Sequence, residues 1–217
     1  MSRKIAFTSL GCENRVDSEV MLGILQKNGY TAVADEAEAD IIVVNTCCFI
    51  KDALEESIET ILEMAQYKNP DVGNCKGLIV AGCLGQRYEK EFFDELPEVD
   101  AIIGTTAYES IAEVADEILG GKEQVKQLES IDLAMQDGNG KLRVLSTAPY
   151  FAYLKISEGC DNRCTYSANA WQTPQQRAGK PCGGSNPFGT AGREGIGNCC
   201  TGYLDLRQRF IRQADAG

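Results

Sequence analysis

The stretch IIVVNTC, residues 41–47, decides the fold of this chain. Its first four residues form a continuous β-branched run with no polar alternation. Such a run is typical of a strand buried on both faces, as in a parallel sheet that is covered by helices. Asn45 and Thr46 end the run, and Cys47 follows directly. The stretch therefore predicts a central parallel strand with a thiol at its carboxyl end.

Further strand and helix signals alternate on both sides of this stretch. Strand-like runs occupy 4–10, 78–81 and 101–103. Helical spacing of apolar residues predicts helices over 18–26, 51–67, 87–96 and 110–119. This alternation is typical of an α/β fold with a doubly wound parallel sheet. We predict that fold for residues 1–122, followed by a linker over 123–149 with a turn at Asp137-Gly138-Asn139-Gly140.

Three cysteines each follow one of the predicted strands: Cys12 in SLGC, Cys47 in VVNTC and Cys83 in VAGC. The carboxyl ends of parallel strands line one edge of an open sheet, and ligands bind at that edge. The three thiols can therefore converge although they are far apart in the sequence. Buried cysteines also often serve as small hydrophobic residues, and spacing alone leaves that alternative open.

Composition limits the class of protein and the chemistry of its site. The 217 residues are 43% hydrophobic and 24% charged, which is ordinary for a globular protein with one or two domains. We expect a cytoplasmic protein with no membrane segment, because no apolar run is long enough for a signal peptide or a span. Ten cysteines then indicate metal or redox chemistry. The absence of histidine excludes most zinc enzymes and histidine acid–base schemes.

The net charge of −11 is a poor match to a protein that binds nucleic acid through its phosphates alone. An acidic surface instead attracts a basic partner. The charge is uneven, because residues 167–217 carry six Arg or Lys and three Asp or Glu. This asymmetry predicts a boundary near residue 167.

A second cysteine pair lies in YLKISEGCDNRCTYS, residues 153–167. The stretch begins with strand-like alternation and continues into Cys160 and Cys164, which are spaced C-x3-C. A third thiol at residue 167 would complete a loop able to hold three irons of a cubane cluster, with the fourth iron open. Residue 167 is a serine, however. A surface loop with two unrelated cysteines is the alternative interpretation.

Residues 1–166 resemble the radical S-adenosylmethionine enzymes, specifically the methylthiotransferase family. The resemblance rests on SLGC-x-N-x-x-D-S-E at 9–19, NTC-x-F-I at 45–50, GCLGQRY at 82–88 and ISEGC-DNRC-TY at 156–166. It implies a flavodoxin-like N-terminal domain followed by the first strand of a radical S-adenosylmethionine barrel, over 150–166. It also implies an electron donor such as flavodoxin.

The resemblance further implies two 4Fe–4S clusters. Cys12, Cys47 and Cys83 would bind the first cluster, which in the family is thought to carry or donate the inserted sulfur. Cys160 and Cys164 would bind the second cluster, whose third ligand position is occupied here by Ser167. In the family the open iron of that cluster chelates S-adenosylmethionine, and an electron from the cluster cleaves it to a deoxyadenosyl radical.

The family modifies either an aspartate of a small-subunit ribosomal protein or an adenosine of the tRNA anticodon loop. DALEESIETILE at 52–63 and FFDELPEVDAIIGT at 92–105 resemble the ribosomal-protein branch. The acidic balance favours that branch as well, since ribosomal proteins are basic, and makes tRNA the less favoured partner. A non-catalytic domain that delivers metal or electrons is a second hypothesis. A flavodoxin-like nucleotide-binding domain is a third, although no glycine-rich phosphate loop follows the first strand.

Other residues near these motifs have weaker interpretations. Cys48 is expected to be a packing residue, and Cys75, in the polar turn KNPDVGNCKG, a surface thiol. Asn14, Asp17 and Asn45 could support a cluster through hydrogen bonds or by fixing loops. Capping of helices or loops explains these three residues equally well.

The tail at 167–217 departs from the family. It has nine glycines, two leucines, two isoleucines and no valine, so we expect no packed core there. One-base shifts of suitable codons turn Asn169-Ala170-Trp171-Gln172 into Met-Pro-Gly and residues 197–200 into Glu-Ile-Val-Val. We therefore hypothesise a frameshift or truncation after Tyr166 and an inactive fragment. A zinc-binding tail is the weaker alternative, because Cys182, Cys199 and Cys200 lack a usual zinc spacing.

Overall fold

The computed structural model of the chain describes residues 3–10, 15–48, 50–129, 142–147, 150–154 and 195–198. The chain divides into two compact units. The first unit comprises Met1–Leu133 together with Leu142–Val144, and the second comprises Ala134–Lys141 and Leu145–Gly217.

The first unit is built on a sheet of six parallel strands. The strands are β1 (Arg3–Ser9), β2 (Tyr30–Ala32), β3 (Ile41–Thr46), β4 (Gly77–Gly82), β5 (Ala101–Ile103) and β6 (Val125–Gln127). Their spatial order is β2-β1-β3-β4-β5-β6. Every residue of β3 and β4 is buried, as the branched run at 41–44 predicts. The predicted doubly wound α/β fold is confirmed.

Five α-helices connect these strands: α1 (Arg15–Lys27), α2 (Lys51–Ala65), α3 (Cys83–Arg87), α4 (Phe92–Glu95) and α5 (Ile111–Leu119). Short 3-10 turns occupy Glu36–Glu38, Gln66–Lys68 and Tyr108–Ser110. The prediction of a single helix over 87–96 is wrong. Two short helices replace it, separated at Tyr88, whose backbone is not helical. Tyr88 has φ −110° and ψ +24°, and this conformation ends α3.

Two apolar layers cover the two faces of the sheet. Ile41 and Val43 of β3 pack in the layer that contains residues of α1 and α5. Ile42 and Val44 pack in the opposite layer with residues of α2 and α4. Successive side chains of β3 therefore pack in the two layers in turn, and apolar residues cover both faces of the sheet at this strand.

The edge strands β2 and β6 are absent from the sequence-based prediction. Each has only three residues, of which one is buried: Tyr30 in β2 and Val125 in β6. β6 lies in the segment predicted to be a linker, so the first part of that segment belongs to the sheet instead. Residues 142–144 of the same segment also belong to the first unit.

The second unit contains a parallel pair of strands, β7 (Phe151–Leu154) and β8 (Gly195–Asn198). β7 coincides with the strand predicted before Cys160. β8 lies in the tail, for which the sequence predicts no packed core, and the other residues of 167–217 lie outside the described range. Cys160, Cys164 and Ser167 lie outside the described residues. Within the described residues, no helix is both long and apolar enough to cross a membrane.

The central strands should dominate the stability of the first unit. Ile79 of β4 is fully buried, so Ile79→Ala should lower the free energy of unfolding by about 2–5 kcal/mol, because it leaves a cavity. Leu62 on α2 is 43% exposed, and Leu62→Ala should change the free energy of unfolding by only about 0.5 kcal/mol. Urea unfolding measures both variants. Equal losses would contradict the assignment of the core.

Candidate metal centre

The carboxyl ends of three neighbouring strands form the candidate site. Ser9 of β1 pairs with Asn45 of β3, and Thr46 of β3 pairs with Gly82 of β4. Cys47 directly follows Thr46, and Cys83 directly follows Gly82. The two cysteines therefore leave adjacent strands at the same level. The Leu10 amide donates to the Asn45 carbonyl at 2.9 Å, which extends β1 towards the segment of Cys12. Cys12 itself lies outside the described residues.

The backbone of Cys47 is held by a serine of α2. The Ser57 hydroxyl donates to the Cys47 carbonyl at 2.9 Å and accepts from the Cys47 amide at 3.2 Å. Ser57 is fully buried, and Cys47 is 6% exposed. Cys47 lies just beyond the last residue of β3, where the hydrogen bonds between strands end. The Ser57 hydroxyl satisfies both of its backbone groups there and so fixes its position.

Cys83 is placed by the glycine that precedes it. Gly82 has φ +96° and ψ −153°, a region that essentially only glycine adopts. A Cβ at Gly82 would lie 2.7 Å from both Asn45 Oδ1 and the Thr46 carbonyl oxygen. The close approach of β4 to the end of β3 therefore requires glycine. α3 begins immediately afterwards, with the partly exposed Cys83 as its first residue.

A buried polar network joins the ends of these strands to α1. The Asn45 Nδ2 group donates to Ser18 Oγ at 2.7 Å, and Ser18 Oγ shares a 3.1 Å hydrogen bond with Ser9 Oγ. Thr46 Oγ1 donates to the Ala81 carbonyl at 2.8 Å and ties β3 to β4. Asn45 thus contacts Ser18 on one side and lies against Gly82 on the other. Its role in supporting a cluster stays a prediction.

Arg87 connects α3 to the segment after Cys47. Its Nη1 group donates to the Cys48 carbonyl at 3.2 Å, and its guanidinium carbon lies 5.5 Å from the centre of the Tyr88 ring. Burial raises the pKa of the Cys48 thiol, and Arg87 opposes that rise. Cys48 packs in the apolar layer with α2, so its predicted packing role is confirmed.

Comparison with known proteins shows which proteins this chain resembles. Residues 4–104 match the family model described as "Uncharacterized protein family UPF0004". The "Ribosomal protein uS12 methylthiotransferase RimO" of Lachnoclostridium phytofermentans is 56% identical over 164 residues, which are 75% of this chain and 36% of the relative. The resemblance to the methylthiotransferases is confirmed. The protein of the same name from Acetivibrio thermocellus is 52% identical over 174 residues, 77% of this chain and 38% of the relative.

The chain thus spans between 36% and 38% of the length of these two methylthiotransferases. The UPF0004 match ends at residue 104, just after β5. It includes the segments of Cys12, Cys47 and Cys83. All three predicted ligand positions of the first cluster therefore lie inside the matched domain.

The structure corrects one prediction and leaves others open. Cys75 is 6% exposed, and its thiol donates to the Gly77 carbonyl at 3.3 Å, so the prediction of a surface thiol is wrong. The prediction failed because the neighbours of Cys75 in the sequence are polar, whereas Cys75 itself packs in the core just before β4. Among the described residues, no three acidic or cysteine side chains form a metal-binding group. Asn14 is outside the described range, and the supporting role of Asp17, in the first turn of α1, stays a prediction.

Ser57 and Arg87 were not identified from the sequence. Ser57 occupies one position of an amphipathic helix and carries no sequence signal of its own. Arg87 belongs to the GCLGQRY motif, which offers a signal, but the motif does not reveal that its partner is the Cys48 carbonyl.

Gly82→Ala should disrupt the site more than an ordinary glycine substitution. Gly29 also has positive φ, +86°, but a Cβ there meets nothing within 4 Å. We expect Gly29→Ala to cost about 1–2 kcal/mol, because left-handed backbone alone costs that much. Gly82→Ala should cost more than about 3 kcal/mol, because steric contact adds to the backbone strain. Urea unfolding of the pair checks the difference, and equal costs would show that the contact with Asn45 is unimportant.

Proposed function

We propose that this chain derives from a radical S-adenosylmethionine methylthiotransferase that acts on an aspartate of a small-subunit ribosomal protein. The observation that carries the proposal is the strand register, which places Cys47 and Cys83 after a directly paired Thr46 and Gly82. The neighbouring strand β1 leads towards Cys12. The names of the relatives support the choice of a ribosomal protein as substrate.

The first cysteine set fits a 4Fe–4S cluster. Thiolates are the usual ligands of such clusters, and the two described thiol residues emerge side by side from adjacent strands. Cys12, Cys47 and Cys83 would hold three irons. When bound, the cluster would supply the sulfur and redox chemistry of the reaction.

The protein groups around this set would fix its geometry and charge. Ser57 holds the backbone of Cys47, and Gly82 allows Cys83 to start α3 beside it. The guanidinium of Arg87, bound at the Cys48 carbonyl, would offset part of the negative charge of the thiolates. The low exposure of Cys47 would limit contact with water.

The second cysteine set would hold a cluster poorly in this sequence. Cys160 and Cys164 provide two thiols, and Ser167 stands where a third is expected. A serine hydroxyl is far less acidic than a cysteine thiol, whose pKa is about 8.5. It is also a harder ligand than iron–sulfur clusters usually take. S-adenosylmethionine would therefore lack a complete site, and we propose that the chain as written does not turn over.

The acidic balance of the chain supports a basic protein partner over tRNA, since net charge −11 repels phosphate. A small electron donor such as flavodoxin would complete the family reaction. A non-catalytic iron–sulfur domain is the second candidate function, and Ser167 is the feature that favours it.

Anaerobic reconstitution with iron and sulfide tests the first cluster. We expect a broad absorbance near about 400 nm and roughly four irons per chain. Cys12→Ala, Cys47→Ala and Cys83→Ala should each abolish both signals, because each removes a ligand. Cys75→Ala is the control, since this buried thiol lies in the apolar layer that packs against α2, and should retain both signals. Retention by all three ligand variants, or binding of zinc alone, would reject the assignment.

The inactive state of the chain has its own test. Deoxyadenosine release from S-adenosylmethionine, measured anaerobically with dithionite, should be absent for the 217-residue chain and for Ser167→Cys. Restoring the reading frame after Tyr166 should recover release, because a third thiol and the family's sequence would then follow Tyr166. A full-length relative is the positive control. Substantial release by the 217-residue chain would disprove the proposal.

A further inference from the structure

Residues Leu142–Val144, which we call the strap, lie on helix α1. The Val144 amide donates to the Glu19 carbonyl at 3.0 Å. The Leu142 carbonyl lies against Gly23, where a Cβ would be only 1.3 Å from the carbonyl oxygen. Leu142 also packs against the apolar layer of α1 and α5. The strap therefore fits a surface of α1 that only glycine leaves open.

A buried ion pair fastens the strap to the helix. Arg143 Nε lies 2.5 Å from Glu19 Oε2, and the two side chains are only 8% and 2% exposed. The other ion pairs among the described residues are considerably more exposed. Loss of one partner of a buried pair leaves an uncompensated charge in the interior, which strongly disfavours the docked state. The strap is therefore held by an interaction that depends on both residues.

The docking point lies next to the network under the cysteines. Ser18, adjacent to Glu19 on α1, accepts from Asn45 Nδ2 at 2.7 Å. Asn45 precedes Cys47 by two residues, and its Oδ1 lies against Gly82, the residue before Cys83. A displacement of α1 would act directly on Asn45, which belongs to β3 and lies against the end of β4.

We propose that Glu19 and Arg143 are positioning residues for the cysteine site. The docked strap holds α1 in place, α1 holds Asn45 through Ser18, and Asn45 keeps the ends of β3 and β4 in register for Cys47 and Cys83. The role concerns the geometry of the thiols and needs no bound cluster, so it can be tested apart from the proposed function.

The test uses the metal-free 217-residue chain and two measurements. The first is hydrogen exchange at the Val144 amide, which reports docking of the strap. The second is the rate of alkylation by iodoacetamide at Cys47 relative to Cys75, with each site assigned by mass spectrometry. Both cysteines are 6% exposed, so Cys75 is an internal control for general loosening of the fold.

Two variants disrupt docking by different means. Glu19→Gln removes the carboxylate that pairs with Arg143. Gly23→Ala obstructs the Leu142 carbonyl while improving the intrinsic helix propensity of α1. Glu117→Gln is the matched control, because Glu117 of α5 forms an exposed ion pair with Lys122, which follows the helix.

We expect Glu19→Gln and Gly23→Ala to speed exchange at Val144 and to raise the Cys47-to-Cys75 alkylation ratio about tenfold, through local opening. Glu117→Gln should leave both measurements unchanged. The inference is overturned if Val144 exchanges rapidly in the unmodified chain. It is also overturned if the ratio stays constant while the strap undocks, or if the control variant raises it equally. A parallel rise at both cysteines indicates general destabilisation and rejects positioning as well.

Discussion

The geometry of the candidate site depends on the burial of Asn45 between α1 and Gly82. A buried amide must satisfy its hydrogen-bonding groups, since an unpaired one costs about 1–3 kcal/mol. Asn45 donates from Nδ2 to Ser18, and Ser18 in turn bonds to Ser9 at the end of β1. The strands that lead to all three predicted ligand positions are therefore linked through this one side chain. Gly82 is required because the other side of Asn45 leaves no space for a Cβ.

This arrangement separates the residues that would bind metal from those that hold them. The thiols extend only one carbon from the backbone, so their positions are set almost entirely by the main chain. Ser57 fixes the main chain at Cys47, and Gly82 fixes it before Cys83. Supporting groups of this kind determine how rigid a ligand set is before a metal arrives.

The sequence reveals the interior of the sheet better than its edges. The branched runs of β3 and β4 predict the central strands, because both faces of those strands are buried. β2 and β6 are three residues long and half exposed, which leaves too little pattern to detect. The sequence also predicts the positions of Cys47 and Cys83, because the carboxyl ends of parallel strands lie at one edge of a sheet. It could not predict Ser57 or the burial of Cys75, because both depend on helix α2 and the chain around it rather than on local composition.

Among the described residues, the first unit has an apolar core of its own. Its two apolar layers are composed of residues between Ile5 and Leu142, and its candidate site is supported by residues of the same range. The described contacts that fix the backbone at Cys47 and before Cys83, through Ser57 and Gly82, also lie within this range. Under the proposed function, metal binding and turnover are separable in this chain, because the proposed ligands of the first cluster belong to the first unit, whereas Cys160, Cys164 and Ser167 belong to the second. An intact first cluster in an inactive chain would be the physical consequence of this division.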